Sequence, residues 1–296
     1  MSDAVPPSGL VVVDKSGGMT SHDVVAKVRR LAGTRKVGHA GTLDPMATGV
    51  LLVGVNRATR LLGHLMLTEK AYDATVLLGV GTTTDDAEGE VVATAATAHL
   101  REDDVRSAAG AFVGDIEQVP SSVSAIKVDG ERAYKRVRAG EEVTLPSRPV
   151  TVHELLVTGY RPLEQGIEVD LSVRCSSGTY IRAIARDLGA ALGVGGHLTA
   201  LRRTAVGPFP VGEAHTLEQL GEAFDLVDIS DVARRCFTPV DLDEDQARDV
   251  GFGRKLDLDL VGEAPVAVFA PDGRFLALYA ALTDTPGRVA PVAVFV

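Results

Sequence analysis

Strict alternation of apolar and polar side chains distinguishes residues 166–175 from the rest of the chain. Ile167, Val169, Leu171 and Val173 occupy every second position there. A period of two predicts a β-strand with one face against a core and the other toward solvent. Further strands are predicted at 9–13, 72–78 and 150–158, with a buried run at 49–55. Helical spacing and capping patterns predict helices at about 20–33, 101–113, 180–192 and from 216 onward.

The order of these patterns predicts an α+β protein in which a large domain precedes a small β-rich one. The chain has 296 residues, which is enough for both. From about Pro239 the pattern changes to short strands and turns. We therefore expect a first domain at 9–237 and a second at 238–296. The segment at about 120–150 is rich in charge, serine and glycine, which is typical of an insertion.

Charge is unevenly spread along the chain. The net charge is −10, but residues 211–296 carry −9, whereas residues 1–63 carry +4 and residues 170–203 carry +3. An acidic average argues against indiscriminate nucleic-acid binding and still allows a local basic cleft. Two cysteines cannot build a disulfide framework or a cysteine-based zinc site. No apolar run approaches the ~20 residues of a membrane helix and no signal peptide is evident, so we expect a cytoplasmic protein.

Asp44 is the main candidate for chemistry. It lies in a segment, 38–45, that contains Gly38 and Gly41, and Pro45 follows it. Glycines allow close approach of a ligand, and a carboxylate fixed in such a loop can act as nucleophile or general base. The alternative is a turn aspartate that caps the short segment after it.

A second candidate cluster joins a predicted strand to a predicted helix. Tyr180 and Arg182 lie two residues apart there, and an arginine beside a catalytic aspartate would hold it ionised and oriented. Tyr180 and Tyr72 can each stack on a base, although a core or half-buried tyrosine is the alternative. His39 is a base, a stacking platform or a plain loop histidine. The acidic run at 85–90, which includes Asp85 and Asp86, lacks calcium-loop spacing and is interpreted as a solvated hairpin end.

Four blocks of the sequence resemble the TruB type of tRNA pseudouridine synthase. They cover most of residues 9–210, and the second is long and specific. The blocks are GLVVVDKSGGMTS (9–21), KVGHAGTLDPMATGVL (36–51), KAY (70–72) and CSSGTYIR (175–182), the last continuing to the Arg202–Arg203 pair. Departures from the family pattern are Ser16, Ala40, Ser121 and Val123. The last two leave open how the 120–150 insertion grips RNA.

The resemblance implies the pseudouridine synthase fold, which is a mixed central sheet with a catalytic cleft, and a PUA-like C-terminal domain. It implies isomerisation of uridine 55 in the tRNA T-loop, with the base flipped into a pocket and with neither cofactor nor metal. It makes Asp44 the catalytic aspartate and Arg182 its partner. It implies that Tyr72 stacks on the target uracil and that His39 takes the place of the flipped base. The remaining implied site residues are Lys15 in the active-site frame and Tyr180 and Leu201 in the pocket lining.

Two other functions stay open on the sequence alone. One is a tRNA-binding or tRNA-folding role that does not depend on catalysis. The other is a related synthase that acts on ribosomal RNA with guide RNA partners, which the lack of long lysine-rich extensions disfavours. We expect tRNA, through its T-arm, as the partner of a monomer with no obligate protein partner. Candidate phosphate contacts are Lys27, Arg29, Arg30, Lys36, Lys127, Arg132, Lys135, Arg136 and Arg202.

Overall fold

A large mixed sheet forms the centre of the computed structural model, which describes residues 7–121, 145–258, 260 and 265–296, and the backbone alone of 127–128 and 131–132. The strands up to the end of this sheet are β1 (Gly9–Lys15), β2 (Val37–Ala40), β3 (Thr48–Val55), β4 (Lys70–Leu78), β5 (Val80–Thr82), β6 (Val91–Thr94), β7 (Gly114–Gln118), β8 (Lys127–Val128), β9 (Glu131–Arg132), β10 (Arg148–Pro162), β11 (Ile167–Cys175), β12 (Gly196–Val206), β13 (Phe209–Pro210) and β14 (Val227–Asp228). Within the large sheet the strand order is β14-β1-β3-β12-β4-β11-β10-β7, with β2 paired to β3 and β13 to β12. β3 and β12 pair in parallel, whereas the pairings on either side, of β1 with β3 and of β12 with β4, are antiparallel.

The two faces of this sheet have different coverings. The helices at 21–31, 102–110 and 181–191 pack over the face where β11 buries the apolar side chains of its alternating pattern, whereas those at 62–65 and 229–236 belong to the core on the other face. β1 is buried on both sides, with Val11 and Val13 in this core and Leu10 and Val12 in a second one. Adjacent residues of a strand point to opposite faces of a sheet, so the odd-numbered and even-numbered residues of β1 lie in different cores.

The helices begin and end largely where local signals predict. They are α1 (Ser21–Leu31), α2 (Leu62–Leu65), α3 (Glu102–Gly110), α4 (Ile181–Ala191), α5 (Leu217–Glu222), α6 (Ile229–Cys236) and α7 (Glu244–Gly251). Thr20 caps α1 in a capping box with Asp23, and Gly33 follows its end with a φ of 62°. Thr216 and Gln219 form the same kind of box at the start of α5.

A second, smaller sheet follows the large one. Its strands are β15 (Pro239–Asp241), β16 (Leu256–Asp257), β17 (Val266–Phe269), β18 (Phe275–Ala281) and β19 (Arg288–Val294), in the order β15-β17-β18-β19-β16. The side chains of Phe269, Phe275 and Phe295 pack in one core with Leu10 and Val12 of β1. The α+β class with a mixed central sheet and a separate β-rich C-terminal part is therefore confirmed, and the boundary at residues 237 and 238 stays a prediction.

One local prediction is wrong. Residues 38–40 of the predicted glycine-rich loop belong to β2, because the main chain of 37–40 pairs with β3 from Val37↔Val55 to Ala40↔Leu52. The insertion at about 120–150 stays a prediction, and β10 begins at Arg148. Residues 122–144 of that insertion lie outside the described side chains. In the described ranges, no helix is long and apolar enough to cross a membrane.

Candidate active site

The loop that carries Asp44 is fixed from the side of α1. The buried Ser21 hydroxyl donates to the Leu43 carbonyl at 3.2 Å and accepts from the Leu43 N–H at 3.0 Å. Gly41 adopts a φ of 72°, which turns the chain away from β2. These contacts hold the loop rigidly, while 39 % of the Asp44 side chain stays exposed.

Arg182 lies beneath Asp44 and is almost fully buried. Its Nε is 3.1 Å from Oδ2 of Asp44, and its Nη1 is 3.2 Å from Oδ2 of Asp86. Nη1 also donates to the Thr84 carbonyl at 3.1 Å. The predicted pairing of Asp44 with Arg182 is thus present, with a second carboxylate on the far side of the guanidinium. Asp86 keeps Arg182 in place, and Arg182 in turn orients Asp44.

The interpretation of Asp85 and Asp86 as a solvated hairpin end is wrong. Asp86 is 3 % exposed, and Asp85 lies 3.2 Å from Nη1 of Arg186 on α4. Asp85 also adopts a φ of 60°, an unusual conformation for a residue other than glycine. The chain bends there so that one carboxylate reaches Arg186 and the next reaches Arg182. The sequence carried no signal for this, because the partners lie about 100 positions away.

Two buried cations frame the Asp44 loop from below. Lys15 is fully buried and donates from Nζ to the carbonyls of Ser16, Met19 and Pro45 at 3.0, 2.7 and 3.2 Å. Burial lowers the pKa of its ammonium group, and the Asp44 carboxylate opposes that shift. The resemblance placed Lys15 in the active-site frame, and the structure brings it to the residue after Asp44.

Arg203 is the second frame residue, and sequence reasoning did not assign it a role. Its Nε donates to the Val50 carbonyl at 2.7 Å and its Nη2 to the Gly41 carbonyl at 2.9 Å, with 1 % of the residue exposed. The available signal was its place at the end of the fourth block. Arg202, predicted to contact phosphate, points to the other face of β12 and pairs with Asp14 at 3.0 and 2.7 Å.

Tyr72 and Leu201 belong to the core that α1, α3 and α4 cover. Tyr72 is opposite Arg203, and Ala74 is opposite Leu201 in the pairing of β4 with β12, so both side chains share one face of the sheet. Burial raises the pKa of the Tyr72 hydroxyl, while the Arg203 guanidinium opposes the shift. The phenol therefore stays neutral at physiological pH. Both residues are buried, and the Asp44 carboxylate is close enough to Tyr72 to add to the rise of its pKa.

Tyr180 and His39 lie in the sequence next to Arg182 and to the Asp44 loop, at the start of α4 and in β2. Tyr180 is the residue that caps α4, two positions before Arg182. His39 lies in β2, and its ring meets that of His22 edge-on at 5.4 Å. Burial lowers the pKa of His39, with further lowering from His22 and Arg203, so its ring is neutral at neutral pH. In the described residues, the buried Nδ1 of His39 has no hydrogen-bond partner.

The predicted phosphate contacts have different surroundings. Arg29 donates from Nη2 to the Val37 carbonyl at 3.1 Å and so ties α1 to β2. Lys27 and Arg30 are exposed on α1, and Lys36 is exposed between α1 and β2. The side chains of Lys127, Arg132, Lys135 and Arg136 lie outside the described residues. Across the described ranges, no three histidine, cysteine or acidic side chains converge as metal ligands.

Comparison with family models matches almost the whole chain. Residues 29–181 match the N-terminal domain of TruB family pseudouridylate synthases, and residues 182–242 match a tRNA pseudouridylate synthase B C-terminal domain. Residues 237–296 match a C-terminal domain of tRNA pseudouridine synthase II.

Curated relatives match at high identity over full length. A protein of Arthrobacter sp. named tRNA pseudouridine synthase B is 56 % identical, over 97 % of this chain and 96 % of the relative. One of the same name from Thermobifida fusca is 55 % identical, over 97 % and 98 %.

Solved structures agree in fold. A Cbf5-Nop10-Gar1 complex contains a chain with a TM-score of 0.75 and 26 % identity, over 97 % of this chain and 85 % of that one. A chain of an H/ACA RNP bound to a substrate RNA containing 2'-deoxyuridine gives a TM-score of 0.73, also at 26 % identity and with the same coverage.

Proposed function

Because this chain belongs to the TruB family and synthesises pseudouridine in tRNA, we propose that its target is uridine 55 of the T-loop and that Asp44 is the catalytic residue. One observation carries the assignment of Asp44. Its carboxylate lies 3.1 Å from the buried Arg182 guanidinium and still exposes 39 % of its side chain. An oriented and accessible carboxylate is what the reaction requires.

The reaction is an isomerisation in which one glycosidic bond replaces another. The C1′–N1 bond breaks, the uracil turns, and a C1′–C5 bond forms; C5 then loses its proton and N1 gains one. A carboxylate can start this by attacking C1′, by attacking C6, or by removing a sugar proton to give a glycal. All three routes begin from the ionised form of Asp44. Arg182 holds the Asp44 carboxylate in place at 3.1 Å and can pair with it again when the intermediate resolves.

The residues around Asp44 suit a uridine that has left its stack. We propose that Tyr72 stacks on the uracil, with Tyr180 and Leu201 as further pocket walls and Lys15 as support for the loop. Unstacking costs a few kcal/mol, which stacking on aromatic rings and hydrogen bonds in the pocket offset. His39 would fill the gap left in the RNA, where a neutral ring is better suited than a charged one.

RNA recognition would involve both parts of the chain. The exposed cations beside α1 suit a phosphate backbone, and we propose that residues 238–296 form a PUA-like domain that contacts the tRNA. The catalytic domain would then comprise residues 9–237. We propose that the protein acts as a monomer, without an obligate protein partner, cofactor or metal ion.

A T-arm stem-loop transcript tests these proposals together. Purified protein is incubated with the transcript in EDTA, and pseudouridine is mapped by carbodiimide-blocked primer extension. We expect product at the T-loop uridine from the wild type and none from Asp44→Asn, with transcript binding within a few-fold in both. Product from Asp44→Asn at the wild-type rate would exclude Asp44 as the catalytic residue. Product elsewhere in a full tRNA would move the target away from position 55.

A further inference from the structure

One buried glutamine side chain hydrogen-bonds to both the N–H and the carbonyl of Tyr180. Gln118, the last residue of β7, is 2 % exposed. Its Oε1 accepts from the Tyr180 N–H at 2.8 Å, and its Nε2 donates to the Tyr180 carbonyl at 3.1 Å. The two bonds fix which end of the amide is oxygen, because only one orientation satisfies both.

A primary amide is suited to this double contact because it carries a donor and an acceptor in one plane. A methionine of similar length has neither at comparable strength, and an ionised glutamate has only acceptors. A carboxylate at this place would accept from the Tyr180 N–H and repel the Tyr180 carbonyl. Since the site is buried, water cannot replace the lost bond without cost.

The contact bears on catalysis through the first turn of α4. Tyr180 caps this helix, and Arg182 projects from its first turn to hold Asp44 at 3.1 Å. A further hydrogen bond joins the end of β7 to α4: Arg186 donates from Nη2 to the carbonyl of Val119, the residue after Gln118, at 2.8 Å. A shift of the Tyr180 main chain therefore moves a pocket wall and the partner of the catalytic carboxylate together.

We propose that Gln118 is a positioning residue for the isomerisation, which acts by locking the Tyr180 main chain so that Tyr180 and Arg182 meet the uridine and Asp44 in register. This rests on the proposed roles of Asp44, Arg182 and Tyr180. A misplacement of about 1 Å can cost roughly 100-fold in rate. Gln118→Met is therefore expected to lower the single-turnover rate constant by about 10- to 100-fold, with the Kd for tRNA within about twofold.

Gln118→Glu gives a signature that a loss of packing does not. A protonated carboxyl group has one donor and one acceptor, so it restores the pattern of the amide, whereas the ionised form does not. Burial beside a carbonyl favours the protonated form. The rate constant of Gln118→Glu relative to wild type should rise as the pH falls from 8 toward 5.5, while the ratio for Gln118→Met stays flat.

A matched control exists at another helix. Gln219 accepts from the N–H of the capping residue Thr216 at 2.9 Å at the start of α5, so Gln219→Met removes a similar bond to a helix cap. We expect this variant to keep the wild-type rate constant. Wild-type rate constants in Gln118→Met, or equal and flat pH ratios in both Gln118 variants, would overturn the proposal.

A readout without turnover separates this inference from the proposed function. The chain has five tyrosines, and 3-fluorotyrosine labelling with Tyr180→Phe as the assignment reference gives a ¹⁹F signal for Tyr180. We expect that signal to shift or broaden in Gln118→Met and to stay in place in Gln219→Met. An unchanged signal in Gln118→Met overturns the positioning role. Absence of product from the wild type would instead overturn the proposed target, and the ¹⁹F result would still decide the role of Gln118.

Discussion

Arg182 lies 3.1 Å from Asp44, and the two side chains are exposed to very different degrees, 7 % for the arginine and 39 % for the aspartate. The cation is therefore held within the protein, and the carboxylate faces the cleft. Asp86 contacts the same guanidinium through a different nitrogen. The separation of the two contacts requires a planar, forked cation, which a lysine ammonium cannot supply.

Arg182→Lys tests the need for this fork. A lysine keeps the charge, but one ammonium cannot span both carboxylates with the same geometry, so Asp44 would lose its orientation. We expect the single-turnover rate constant on tRNA to fall by about 100- to 1000-fold, with little change in tRNA affinity. Arg234→Lys is the control, because Arg234 pairs with Asp241 at the surface at 2.7 Å. A rate constant of Arg182→Lys within threefold of wild type would show that charge alone suffices.

Lys70 makes the free energy of unfolding depend on pH in the alkaline range. Burial lowers its pKa from 10.5 to about 8, and its Nζ donates to the carbonyls of Met66 and Thr68. Below pH 8 the folded and unfolded chains both carry the proton, and the cost of the buried charge is fully present. Between pH 8 and 10.5 the unfolded chain binds more protons, so this group makes the free energy of unfolding rise with pH.

Urea unfolding at pH 7.5, 8.5 and 9.5 measures this contribution. Relative to Lys70→Met, the wild type should gain stability as the pH rises, by up to about 1.4 kcal/mol per pH unit. Other titrating groups change both proteins alike and cancel in the difference. Parallel pH dependences of the two proteins would contradict the lowered pKa of Lys70.

Local patterns predicted the elements well because their causes are local. The alternation at 167–173 and the capping residues Thr20 and Thr216 act within a few positions, and each lies where the pattern indicated. Predictions that failed depended on distant partners. The glycines on either side of His39 favoured a loop there, and the segment forms a strand only because its main chain pairs with β3.

The candidate site shows the same division. The pairing of Asp44 and Arg182 was expected on general electrostatic grounds and through the family resemblance, and it is present. The buried roles of Asp86, Arg203 and Gln118 were not predicted, because a polar residue in a sequence gives no sign of burial until its partner is known. The roles of His39, Tyr72, Tyr180 and Leu201 toward RNA stay predictions.

Gly49 permits the parallel contact between β3 and β12. Its φ is 96°, and a Cβ placed there would lie 2.2 Å from the Arg203 carbonyl oxygen. Gly49→Ala should therefore strain the backbone and push β12 away, at a cost of about 2–4 kcal/mol in the free energy of unfolding. Gly33→Ala is the control, because Gly33 also has a positive φ, 62°, but has open space around it. Its expected cost is only about 1 kcal/mol, from the backbone conformation. Equal losses in urea unfolding would show that the overlap with Arg203 relaxes freely.

Phe275 tests whether the two parts of the chain fold as one unit. Its ring is 2 % exposed and lies 4.8 Å from the ring of Phe295, in a core shared with Leu10 and Val12 of β1. Phe275→Ala removes apolar contacts on both sides of this core, so we expect a loss of about 3–5 kcal/mol. Because the core is shared, circular dichroism and a probe in the C-terminal part should follow one transition with a lowered midpoint.

Phe252→Ala is the control, since 70 % of that residue is exposed and its loss should change stability by less than about 0.5 kcal/mol. Two separate transitions in Phe275→Ala, with the first confined to the C-terminal part, would mean that residues 238–296 unfold independently of the sheet that carries Asp44.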